Sequence, residues 1–508
     1  MATPPDPVGR LDPRFRALPL TALADAALDR ARALGAGHAD LRVERIVTQS
    51  IDLRDGRVTG IVDATTVGLA VRVVVDGVWG FASHVELTPE RAAATAERAV
   101  EVARTLAPVA LERVHRADEP VHRDAVWVSE YAVDPLTVPT REKVELLVEW
   151  SQRLLAGDGV DHVHAGVVQV RECKFYADLA GTSTTQQRVR VGPSLTATAV
   201  DRAAGGFESM DSLAPPAGRG WEYLTGRGWD WDGELAELPE LLAEKTKAPS
   251  VAAGPHDLVI DPTNLWLTIH ESVGHATEYD RAIGYEAAYA GTSFATPDQL
   301  GTLRYGSPHM HVTGDRTVPH GLATTGFDDD GVATTEWDLV RDGVLVGYQL
   351  DRTFAPRLGL ARSNGCAFAD SPHHVPIQRM ANVSLRPDQE RDTTTEELIA
   401  GVERGIYVVG DKSWSIDMQR YNFQFTGQRF FRIENGALAG QLRDVAYQAT
   451  TTDFWGSLDA VGGPSTWRLG GAMNCGKAQP GQAAPVSHGC PAARFRGISV
   501  LNTQEEGQ

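Results

Sequence analysis

Two Asp-Gly pairs, Asp55-Gly56 and Asp76-Gly77, constrain the fold of this chain most. Each lies between runs rich in Val and Ile, IDLRDGRVTGIV and VRVVVDGVWGFAS. Asp-Gly readily takes the positive dihedrals of a two-residue turn, so flanking β-branched runs are expected to pair as antiparallel hairpins. An Ala/Leu-rich helix, LTALADAALDRARALGAG, precedes the hairpins and ends at Gly35. Thr88-Pro89 supplies the cap and first residue of another, PERAAATAERAVEVARTLA. Helices flanking a hairpin-rich sheet define an α+β class.

A polar stretch from about residue 107 to 139 reads as a connection, and Thr140 as the cap of REKVELLVEWSQRLLAG. VHAGVVQVRECKFYAD, GTSTTQQRVRV and SLTATAV read as three further strands, and DGELAELPELLAEKTK as a helix. Gly254-Pro255 marks the candidate boundary between an N-terminal mixed α/β domain, residues 1–250, and a C-terminal domain, residues 251–508. The second half opens with the short strand DLVIDP, and Asp261-Pro262 starts a helix that runs into HESVGH. Closely spaced turns in VRDGVLVGYQL and FRIENGALAG then predict a β-rich, barrel-like domain that carries this helix.

Composition excludes several function classes. A net charge of −19 argues against nucleic acid or an anionic membrane as partner. No apolar run approaches the roughly 20 residues of a membrane helix. The opening MATPPDPVGRLDPRF has no apolar signal core, so a cytoplasmic location is expected. The 4 cysteines (Cys173, Cys366, Cys475 and Cys490) are too few for a disulfide framework in 508 residues.

HESVGH, residues 270–275, offers two imidazoles and a carboxylate. Zinc peptidases use such a set: zinc acidifies a water, and an adjacent carboxylate takes its proton. The familiar spacing is H-E-x-x-H. Here His270 and His275 are one residue further apart, which on a regular helix puts the rings roughly 140° apart around the axis. A π-bulge would restore the phase, with Gly274 as the residue that tolerates it. A third ligand is open among Cys475, Cys490, His488, His373-His374 and His309/His311. Lys477 stands ready to lower the Cys475 thiol, and Asp280 to orient a His ring. Asp328-Asp329-Asp330 reads as a solvated turn, and the Trp cluster of GRGWEYLTGRGWDWD as packing.

HESVGHATEYD, GFDDDGVAT, PIQRMANVSL and the Cys475-Gly476-Lys477 turn together resemble the TldD/PmbA family of zinc metallopeptidases, in its TldD-type catalytic branch. The N-terminal GAGHADLRVERIVTQSIDLRDGRV extends the resemblance over nearly the whole chain. It implies that His270, His275 and Cys475 bind zinc (Zn2+) and that Glu271 is the catalytic acid/base. It also implies a peptidase for unfolded or extended peptides of little sequence preference, and a dimer with a homologous TldE/PmbA-type subunit or with itself. The alternatives are a non-catalytic partner subunit and a zinc amidase acting on small molecules. CGKAQPGQ departs from the family pattern by two extra residues, which leaves Cys490 as a rival ligand.

Overall fold

The computed structural model describes residues 10–201 and 206–504. The N-terminal stretch read for targeting therefore lies mostly outside the described residues.

The first half is built on one seven-stranded sheet: β1 (His38–Arg54), β2 (Arg57–Val75), β3 (Val78–His84), β4 (Ala125–Val128), β5 (His162–Asp178), β6 (Ser183–Asp201) and β7 (Gly206–Asp211), in the order β3-β2-β1-β5-β6-β4 with β7 also on β6. Both Asp-Gly pairs turn as expected, with φ of 52° and 72° at 55–56 and 52° and 71° at 76–77. The stretches read as two strands, 181–191 and 194–200, form the single strand β6. Pro193 interrupts no ladder there: it pairs with Val167 of β5, and the pairings of β4 and β7 begin on either side of it.

Side chains alternate across β1. Leu41, Val43, Ile51 and Leu53 face two pairs of helices. The first pair is α1 (Leu20–Ala33) and α2 (Pro89–Leu106), the second α3 (Thr140–Leu155) and α4 (Trp231–Lys245). The expected Thr140 cap is displaced by one residue: Thr140 is the first helical residue, and Pro139 precedes it without a side-chain cap. Within the Trp cluster, Trp231 stacks on Trp150 at 4.2 Å, which is packing as expected.

The opposite face of the sheet is charged yet buried. Arg42, Glu44, Glu172, Lys174, Arg188 and Arg190 are all at most 6 % exposed. The Asp328–Asp330 turn docks there, which corrects the expectation of a solvated turn. Asp329 accepts from Arg42 (3.2 Å), Lys174 (2.7 Å) and the Ala369 amide (2.7 Å), and Asp330 pairs with Arg72. Asp328 accepts the amides of Asp330, Val332 and Ala367. A buried carboxylate needs such partners, and the cations that supply them lie about 150–290 residues away in sequence.

In the second half, β8 (Gly254–Ile260), β9 (Arg404–Ile416), β10 (Asn422–Glu434), β11 (Val445–Thr450) and a last strand, β14 (Ala493–Asn502), close into a five-stranded barrel. A separate hairpin, β12 (Arg468–Lys477) and β13 (Gln482–Cys490), precedes β14. The α+β architecture with a C-terminal barrel is as expected. Among the described residues no helix is long and apolar enough to cross a membrane.

Helix α5 (Pro262–Ile269) leaves β8 through Asp261, whose carboxylate accepts the Thr263 amide at 2.9 Å. Eight residues are too few for a stable helix alone, so packing holds it. Leu265, Leu267 and Ile269 are buried, each worth about 1.5–3 kcal/mol. Asn264 donates to the carbonyls of Gly410 and Thr426, which fixes the helix to the β9–β10 hairpin.

Candidate metal centre

The helix does not continue regularly through HESVGH. Residues His270–Gly274 form one π-helical turn, closed by the His275 amide donating to the His270 carbonyl at 2.9 Å. This five-residue bond widens the turn and brings both rings to one side, with centroids 4.6 Å apart. The π-bulge expected within HESVGH is present and includes Gly274. Gly274 serves it by space rather than by unusual dihedrals: a Cβ there would lie 2.6 Å from Met380 Sδ and 3.5 Å from His488 Cε1.

The β12–β13 hairpin brings Cys475 to the same place. One donor atom each from His270, His275 and Cys475 lie within 4.8 Å of one another, and all three residues are buried. Cys475 Sγ is 3.6 Å from His275 Nε2. Tetrahedral zinc with nitrogen at about 2.0–2.1 Å and sulfur at about 2.3 Å separates such atoms by about 3.5 Å, so the donor set fits that ion. The two extra residues of CGKAQPGQ fall in the turn between Lys477 and Gln482, beyond the cysteine, and do not displace it. Arg379 fixes the hairpin by donating to the carbonyls of Cys475 (2.5 Å) and Gln482 (2.9 Å).

The other candidate ligands lie elsewhere. Cys490 packs under Pro262, its thiol 3.6 Å from that carbonyl. His374 bonds Asp370, His373 and His309 are exposed, and His311 lies beside Asp342. His488 is at the site but behind it. Its Nδ1 is 2.8 Å from the Val383 carbonyl, an acceptor only, so Nδ1 carries the proton. His488 Nε2 then accepts from His270 Nδ1 at 2.7 Å, leaving the His270 Nε2 lone pair for the cluster. Burial holds His488 well below its ordinary pKa, which keeps this relay neutral.

His275 is oriented by Glu278, not by Asp280 as expected. Its Nδ1 donates to Glu278 Oε2 at 2.8 Å, so its Nε2 also presents a lone pair. Asp280 instead accepts from Lys477 Nζ at 2.8 Å, and Lys477 also reaches Glu278 Oε1 at 3.1 Å. Spacing alone did not separate the two carboxylates: three residues on from His275 puts Glu278 beside the ring, while Asp280 lies in the next short helix, Tyr279–Ala282. Lys477 is thus committed elsewhere and is not what acidifies the thiol. Burial pushes Cys475 up, but His275 and Arg379 more than offset it and lower the thiol below its ordinary value.

Glu271 lies between the two histidines in sequence and is 6 % exposed. Burial raises its pKa, yet His275, His270 and Arg420 outweigh that and hold the carboxyl below its usual range. Arg420 Nη1 donates to Glu271 Oε2 at 2.9 Å. Arg420 was not singled out from sequence, because no local pattern joins residues 149 apart.

The geometry defines a class: an α+β protein with a C-terminal barrel, in which a π-helical turn and a hairpin gather a His/His/Cys donor set beside a carboxylate. Residues 253–502 match the PmbA/TldA metallopeptidase C-terminal domain, and residues 39–103 match domain 1 of the same metallopeptidases. The chain belongs to the PmbA/TldD family. A metalloprotease of Methanothermobacter thermautotrophicus is 29% identical over 92% of this chain and 96% of its own length. A zinc metalloprotease TldD homolog of Saccharolobus solfataricus is 22% identical over 93% of this chain and 98% of its own. Among solved structures, TldE from Thermococcus kodakarensis superimposes with a TM-score of 0.67 over 93% of this chain and 98% of its own, at 15% identity, which bears on the fold alone.

Proposed function

We propose that this protein is a zinc-dependent peptidase that cleaves unfolded or extended peptides with low sequence specificity. The observation that carries this reading is the π-helical turn, which sets the lone pairs of His270 and His275 beside the Cys475 sulfur, with Glu271 in the same turn. The relatives named as metalloproteases, one of them a zinc metalloprotease, support it.

His270, His275 and Cys475 would hold the ion, which supplies a water acidified to about pKa 7. Glu271, held as a carboxylate, accepts a proton from the attacking water and passes it to the departing amine nitrogen. His488 and Glu278 keep both imidazoles in the tautomer that offers Nε2. Every donor of the set is at most 6 % exposed, so a folded protein surface cannot reach it, which supports an unfolded chain rather than a folded one as substrate. The reading includes two domains, residues 1–250 and 251–508, and a cytoplasmic location. It also includes a dimer with a TldE/PmbA-type subunit or a second copy, a pairing suggested by the fold shared with TldE.

Hydrolysis of a casein-like unfolded protein, against a folded protein and small amides, tests the proposal. Glu271→Gln should keep the metal and lose at least about 10²-fold in rate. Cleavage of small amides only would favour an amidase. A wild-type chain that binds no zinc and is inert alone, while the activity resides in a second subunit, would make it the supporting partner.

A further inference from the structure

The arginine that meets Glu271 is held with more care than a simple ion pair requires. Arg420 sits at the tip joining β9 and β10 with φ of 62°, a left-handed conformation unfavourable for a residue with a side chain. The tip is organised around Asp417, whose carboxylate accepts the amides of Gln419 (3.0 Å), Tyr421 (2.8 Å) and Asn422 (3.0 Å). The Arg420 amide donates to the Asp417 carbonyl at 3.1 Å, and its own carbonyl accepts from Thr451 Oγ1 at 2.8 Å. Strained residues of this kind persist where the surroundings over-determine them, and they concentrate at functional sites.

The side chain spans the site from that anchor. Nη1 reaches Glu271 Oε2 at 2.9 Å and Nη2 reaches the Ala290 carbonyl at 3.0 Å, so the guanidinium plane is fixed at both ends. Glu271 itself stands in a π-helical turn, where wider backbone spacing leaves its side chain less supported by neighbouring turns.

We propose that Arg420 is a positioning residue for Glu271, an inference that rests on the peptidase reading. By occupying one carboxylate oxygen it fixes the rotation of the carboxylate plane, so that a free lone pair points where the water proton must go. A guanidinium suits this role because it donates in a plane and stays protonated, so it cannot compete for the proton being moved. The strained tip sets the arginine before substrate arrives, and the orienting cost is met during folding rather than in each turnover.

The test uses full-length protein. Arg420→Ala should retain zinc and bind unfolded substrate with KM within about 3-fold, while kcat falls by about 10- to 100-fold. Millimolar guanidinium should restore kcat saturably and equimolar urea should not; Arg420→Lys should recover only part of the rate. A double-mutant cycle of Arg420→Ala with Glu271→Gln, read as the shift in Tm of metal-free protein, should be non-additive. Additive shifts, an unchanged kcat, or a loss that guanidinium leaves untouched would each overturn the role of Arg420 while the peptidase reading stands. A wild-type protein without peptidase activity, alone or with a partner subunit, would remove both.

Discussion

Gly274→Ala tests the π-helical turn most closely. The added Cβ would lie 2.6 Å from Met380 Sδ and 3.0 Å from its Cε. Ordinary contact begins at about 3.5 Å, so the thioether must retreat by roughly 1 Å. Met380 is 2 % exposed, and Cys366, Ala381 and Val383 nearby are all fully buried, so little room receives it. Such overpacking costs about 1–3 kcal/mol, and the loss of glycine's chain entropy returns about 0.5–1 kcal/mol. A net loss of about 0–2.5 kcal/mol in the metal-free protein is expected, by thermal unfolding. The same Cβ would touch His488 Cε1 at 3.5 Å, and His488 fixes the tautomer of His270. Zinc affinity, measured by competition with a chelator, should therefore fall at least about 10-fold. Unchanged zinc affinity in a variant that is measurably destabilised would refute the argument that the close approach at Gly274 shapes the donor set.

Further outcomes follow from the site's supports. His488→Phe keeps the ring volume but removes the acceptor for His270 Nδ1, and should weaken zinc by about 10- to 100-fold in a chelator titration. Glu278→Gln leaves an oxygen for His275 but removes the charge that Lys477 and Arg281 share, so Tm should fall along with zinc affinity. Asp351 has its pKa pushed up to about 7 by burial and the nearby Asp330. The folded chain thus keeps a proton that the unfolded chain releases near pH 4, and this group costs stability as pH rises from about 4 to about 7. Asp351→Asn retains the acceptor for the Thr353 and Phe354 amides, so it should gain on wild type across that window, by about 4 kcal/mol at pH 8. Parallel stability profiles for the two proteins from pH 4 to 8 would contradict this.

Local chemistry made the hairpins and helix starts legible. Asp55-Gly56, Asp76-Gly77, Thr88-Pro89 and Asp261-Pro262 act through residues next to them in the chain, and the structure uses each as read. The π-helical turn was legible too, because the spacing of His270 and His275 allows one ion only if the helix phase is reset. Long-range partners were not legible. The pattern of Asp40, Arg42 and Glu44 alternating with apolar residues reads as a solvated face, yet these residues are at most 2 % exposed. What neutralises that face, Asp328–Asp330 and its neighbours, reads in isolation as a solvated turn. The roles of Cys475, His488 and Cys490 likewise depend on which face of β12 or β13 meets the π-helical turn. Alternation puts His488 and Cys490 on one face, but only tertiary packing decides that His488 reaches His270 while Cys490 goes beneath Pro262.

Zinc content per chain in wild type, Cys475→Ala and Cys490→Ala, measured by elemental analysis on purified protein, bears most directly on the central claim. The two thiols are both buried and differ in place: Cys475 lies 3.6 Å from His275 Nε2, and Cys490 lies against the start of α5. Wild type and Cys490→Ala should each carry about one zinc, and Cys475→Ala should lose most of it. A wild-type protein that takes up no zinc when supplied with it, or one that keeps its zinc without Cys475, would contradict the account.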